Sequence, residues 1–114
     1  MESLSLTTLA AEKIAEARDS RAGRAATTVH GGHAHGLRQT LVALRGGEEL
    51  AEHDSPGEAT LQVLTGRVAL TVGESTWEGA AGDYVTIPPQ RHGLTAFEDS
   101  AVLLTVALSA KHPE

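Results

Sequence analysis

A chain of 114 residues fits one compact domain and leaves no room for a second. Nine Lys and Arg against fifteen Asp and Glu give a formal charge of -6, which repels phosphate backbones and lacks the basic stripe that nucleic acid or an anionic membrane needs. The absence of Cys removes disulfides, thiolate nucleophiles and thiolate metal sites together, so a metal would have to be held by His, carboxylate, amide or water.

The N-terminus shows no positively charged start before an apolar run of signal-peptide length, and no apolar stretch approaches a membrane span, which predicts a soluble, cytoplasmic protein. From Thr7 to Arg18, Leu9, Ala10, Ile14 and Ala17 recur at helical spacing with Glu12, Lys13 and Glu16 between them. The pattern predicts a short amphipathic helix with Thr8 as its N-cap. Residues 19–24 break it with Gly23 and no apolar periodicity, so residues 1–24 read as helix and linker and 25–110 as the main domain.

Beyond residue 25 the chain consists of short β-prone runs punctuated by Gly, Pro and acidic turns, the spacing of an all-β sandwich or barrel. The predicted strands are Ala26–His30, Leu37–Leu44, Glu49–His53, Thr60–Leu64, Arg67–Val72, Thr76–Glu78, Tyr84–Ile87, Gly93–Phe97 and Val102–Leu108. Gly46-Gly47 and Gly82-Asp83 are the informative turns, because Gly tolerates positive φ and Asp bonds its own backbone. The run from Ala101 to Leu108 is almost wholly apolar, so its strand needs cover on both faces, from the barrel interior and from the helix or a partner sheet. A homodimer is expected on that ground.

Two Gly-anchored segments carry the chemistry. Gly47, five residues, His53-Asp54-Ser55, three residues, Ala59, six residues and Gly66 reproduce the spacing G-x5-H-x-H-x3-E-x6-G, with Ser and Ala in place of the second His and the Glu. Gly82-Asp83-Tyr84-Val85-Thr86-Ile87-Pro88-Pro89-Gln90-Arg91-His92 is similar to G-x5-P-x-G-x2-H, with Gln in the Gly place and one residue fewer before the His. In this order and spacing the chain, over residues 37–108, resembles the small single-domain cupins. The resemblance implies an all-β double-stranded jelly-roll barrel with a short N-terminal helix. It also implies that inward-facing motif side chains hold a divalent ion: iron, manganese, zinc, nickel or copper.

Carried over by position, His53 and His92 match metal ligands, while Ser55 and Ala59 do not. A catalytic metal normally takes three protein ligands and an open position. Glu58 is one residue from the Glu place, and a one-residue offset in a strand turns a side chain to the opposite face. His33 and His35, in the His-rich segment Val29–His35, share one face if extended and could supply the missing ligands. A two-residue hairpin at Gly46-Gly47 would put Thr40 opposite His53 and turn His33 and His35 away; a three-residue loop would reverse this. Arg38, Gln39 and Gln62 are candidate substrate donors. Two functions stand side by side: a metal-dependent enzyme acting on a small molecule by a reaction the fold does not choose, and a metal-free module that binds or senses a small ligand.

Overall fold

The computed structural model describes residues 1–32, 35–54 and 57–107. Helix α1 (Leu6–Asp19) comes first and nine antiparallel strands follow: β1 (Arg24–His30), β2 (Leu37–Leu44), β3 (Glu49–His53), β4 (Glu58–Thr65), β5 (Arg67–Val72), β6 (Ser75–Ala80), β7 (Tyr84–Ile87), β8 (His92–Ala96) and β9 (Ser100–Ala107). They form a five-stranded sheet in the order β1-β2-β9-β4-β7 and a four-stranded sheet in the order β3-β8-β5-β6. The predicted all-β barrel with one N-terminal helix is the observed architecture.

Period-two patterning explains how the two sheets bury one core. Along β4, Ala59, Leu61 and Val63 are buried while Glu58 and Gln62 are exposed. From the inner faces Leu44, Leu61, Val63, Val68, Leu70, Leu94, Val102 and Val106 meet in one apolar cluster. Each such aliphatic side chain contributes about 1.5–3 kcal/mol when taken out of water.

The helix covers the outer face of the five-stranded sheet. Ala10 packs with Leu41 and Ala101, and Leu6, Leu9, Ile14, Val29 and Leu64 close around them. Its N-cap is Ser5 rather than Thr8: the Ser5 hydroxyl accepts from the Thr8 N–H at 3.1 Å, so the helix begins at Leu6. At the other end Arg45 donates to the carbonyls of Arg18 and Ser20, at 3.3 and 3.2 Å, and ties the last helical turn to the barrel. These bonds supply donors to carbonyls that a helix C-terminus leaves without partners.

Strand β9 runs through the middle of its sheet, between β2 and β4. Ala101 faces the helix and Val102 and Val106 face the barrel interior, so one chain covers both sides of this apolar strand. The apolar run therefore does not call for a dimer partner; Leu108 lies outside the described residues.

The Gly46-Gly47 turn makes neither of the hairpins considered. It carries the chain from β2 in one sheet to β3 in the other, held by Gly46 N–H to Asp99 Oδ1 at 2.8 Å and Gly47 N–H to the Ala96 carbonyl at 2.9 Å. Gly66 makes a similar crossing with φ of 87°, and a Cβ there would strike the Ser100 hydroxyl and the Asp99 carbonyl. Among the described residues no helix is long and apolar enough to cross a membrane.

Candidate functional site

His53 and His92 stand directly opposite each other on β3 and β8. Their facing depends on an irregularity in β3. Leu50 pairs with Leu94 and His53 with His92, so three steps on β3 match two on β8. The extra residue is a β-bulge, which moves His53 onto the face that Leu50 occupies. Without it His53 would turn away from the barrel.

The two rings meet edge to face with centroids 4.5 Å apart and planes at 62°. His92 is buried, whereas His53 is exposed. His53 Nδ1 lies 3.2 Å from the Ala51 carbonyl and His92 Nδ1 lies 3.1 Å from the Gln90 carbonyl. A carbonyl can only accept, so each Nδ1 carries a proton. Nearby, Arg91 joins the strand ends by pairing with Asp54 at 3.4 Å and donating to the Glu52 carbonyl at 3.2 Å.

Around the imidazoles lies a cavity of about 30 Å³, walled otherwise by aliphatic side chains, among them Val42, Leu50, Leu61, Leu70, Ile87 and Leu104. It has room for about one or two water molecules. The two histidines are its polar end.

The remaining candidates lie elsewhere. Ala59, at the position of the motif Glu, is a buried methyl group in the barrel core, and Glu58 is exposed on the opposite face. His35 is exposed and stacks edge to face on His30, with centroids 4.7 Å apart, rather than joining His53 and His92. His33 and Ser55 lie outside the described residues. Gln39 stands on the helix-side face, where it donates to Thr105 Oγ1 at 3.2 Å. Gln62 is exposed on that same outer side of β4, and Arg38 packs its stem along Gly31, away from the cavity wall. None of these three lines the pocket: strand parity decides the two Gln, and the position of Arg38 near the exposed end of β2 decides the third.

Among the described residues the donor set therefore does not fit the metal centre that the motifs imply. Two imidazoles converge where a firm site takes three protein ligands. Among the described residues no group of three or more His, Asp or Glu stands together. A composition rich in Ala, Leu and Val and poor in aromatics points to an aliphatic wall, but alternation in β5 and β8 marks residues as core without saying which of them border a void.

Compared with protein-family models, residues 40–107 match that of the cupin domain. The comparison with curated proteins gave no match. Among solved structures, a conserved protein of unknown function from Streptococcus pyogenes is 28% identical with a TM-score of 0.69, over 83% of this chain and 79% of that one. A cupin superfamily protein from Desulfitobacterium hafniense is 14% identical with a TM-score of 0.69, over 75% of this chain and 78% of that one. Salicylate 1,2-dioxygenase from Pseudoaminobacter salicylatoxidans, a glycine-to-alanine variant, is 22% identical with a TM-score of 0.74, over 93% of this chain but 34% of that one. The last two speak for the fold alone. Because the family match runs through both motifs and over more than half of the chain, this protein belongs to the cupin family.

Proposed function

We propose that the barrel is a binding module for a small molecule whose polar head meets the His53–His92 pair and whose apolar part lies among aliphatic side chains. The observation that carries this reading is the close pairing of His53 and His92, each with Nδ1 on a backbone carbonyl, beside a cavity walled otherwise by aliphatic side chains. With each Nδ1 taken by a carbonyl, a ligand head would meet the rings at their Nε2 atoms. A carboxylate suits them: with one proton taken up from solvent onto a ring, it accepts a charge-assisted bond from that imidazolium. The apolar wall excludes competing water and strengthens that bond.

The same nitrogens support a second reading, in which a divalent ion takes two imidazoles and fills its other positions with water or ligand. His Nδ1 bonded to a carbonyl is the support that metal-bound imidazoles usually have. With two protein ligands such a site is weak, and its metal identity stays open among the late first-row ions.

Calorimetric titration of untagged protein with acetate, with and without added Zn2+, separates the two. The binding-module reading expects acetate to bind without metal and His53→Ala and His92→Ala each to weaken it at least about tenfold, the loss of one charge-assisted bond. Acetate binding that requires Zn2+ would replace it with the metal reading. Acetate binding unchanged in both variants would remove the histidines from the site.

A further inference from the structure

The cavity at the histidines is too small for an organic ligand beyond its head, but it shares a lining residue with a second space. Leu70 lines both this cavity and a second, open hollow of about 180 Å³ whose other walls include Val72, Ser75, Trp77, Val85 and Pro88. That hollow lies where the sandwich is unpaired: β6 is the edge of one sheet, β7 is the edge of the other, and no ladder joins them. Register places the two spaces side by side on the same sheet. Across the inner face of the four-stranded sheet, His53 pairs with His92, His92 with Val72 and Val72 with Ser75. The neighbouring row runs Leu50, Leu94, Leu70, Trp77. A ligand headed at the histidines thus meets Val72 and Leu70 next, and Ser75 and Trp77 after them.

We infer that the ligand is a medium-chain linear carboxylic acid, its head at His53 and His92 and its alkyl chain running across the four-stranded sheet into the open groove beside Trp77. The inference rests on the binding reading above and adds the ligand's shape. From β8 to β6 is two strand spacings, about 9.5 Å, the length of about seven or eight extended methylene units. Trp77 is half-buried and packs against the barrel core, so it forms an apolar floor rather than a polar reader of the chain. The wall carries no formal charge, and its polar side chains are the hydroxyls of Ser75, Thr76 and Thr86.

Trp77 is the sole tryptophan, so its emission reports on the groove alone. The experiment titrates the full chain with straight-chain acids from acetate to decanoate. Affinity is expected to rise about two- to fourfold per methylene, the range for partial to full burial of each, and to level off near eight carbons. Octanoate, but not acetate, should shift the Trp77 emission to the blue. Ser75→Glu, at an exposed rim position, should cut the octanoate-to-acetate affinity ratio at least about tenfold, with acetate itself correcting for the added charge. Affinity independent of chain length, or Trp77 emission unmoved by a bound long acid, would overturn the groove assignment. Equal binding of octanol and octanoate, or full acetate affinity in His53→Ala and His92→Ala, would overturn the histidine head group instead. Chain-length dependence and the Trp77 shift would then still test the groove by themselves.

Discussion

Two pairs of histidines in this protein have nearly the same ring geometry and quite different surroundings. His53 and His92 meet at 4.5 Å and 62°, His30 and His35 at 4.7 Å and 71°. The first pair faces a cavity and has both Nδ1 atoms held by backbone carbonyls; the second is exposed at the end of β1 and in the segment before β2. Two rings in contact do not by themselves make a site. The burial of His92 and the carbonyl held by each Nδ1 distinguish the inner pair, because a hydrogen bond or ion pair offered to a ligand is stronger where water is kept away.

The comparison breaks most sharply at Ala59, which sits on the enclosed side where the family motif has a carboxylate. Ala59→Glu should destabilise the metal-free protein by about 3–5 kcal/mol, the cost of an unpaired buried charge, as read from urea unfolding. Added Zn2+ should return part of it, about 2.7 kcal/mol at a hundredfold excess over its dissociation constant. A neutral effect of the substitution without metal would mean that position 59 is not enclosed.

Next in size is His92→Ala. It removes a buried ring from the cavity wall and should lower unfolding free energy by about 1–3 kcal/mol as well as weaken the ligand. His53→Ala separates the two effects: His53 is exposed, so stability should change by less than about 1 kcal/mol while acetate affinity falls at least about tenfold. A large loss of stability would instead make His53 a packing residue.

The smallest effect is expected at the outer pair. His30→Ala and His35→Ala, singly or together, should stay within about 0.5 kcal/mol of the parent and leave acetate binding unchanged. Loss of binding in the double variant would join the outer pair to the pocket and end the contrast on which the site assignment rests.

Much of the fold was legible in advance. Val and Leu alternate along β4 and β5, glycine stands at the sheet-crossing turns, and the spacing around His53 and His92 carries the family. The helix was legible too, though its cap was misplaced by three residues, because Ser5 and Thr8 are equally good capping types and only the backbone shows which hydroxyl reaches an N–H. The site was less legible. Arg38, Gln39 and Gln62 have the chemistry of substrate donors, but Gln39 bonds Thr105 across the outer face, and the other two also miss the cavity.

The sequence by itself determined a two-sheet barrel of this family, the two motif histidines, and the loss of a ligand at Ala59, since these follow from residue type and spacing along one chain. Only the tertiary structure decided that β2 and β3 belong to different sheets, that a bulge turns His53 inward, and that His35 joins His30. The physical reason is that side-chain parity is local, but a bulge and a sheet edge exist only between paired strands. Which strands pair is set by burying the whole core at once.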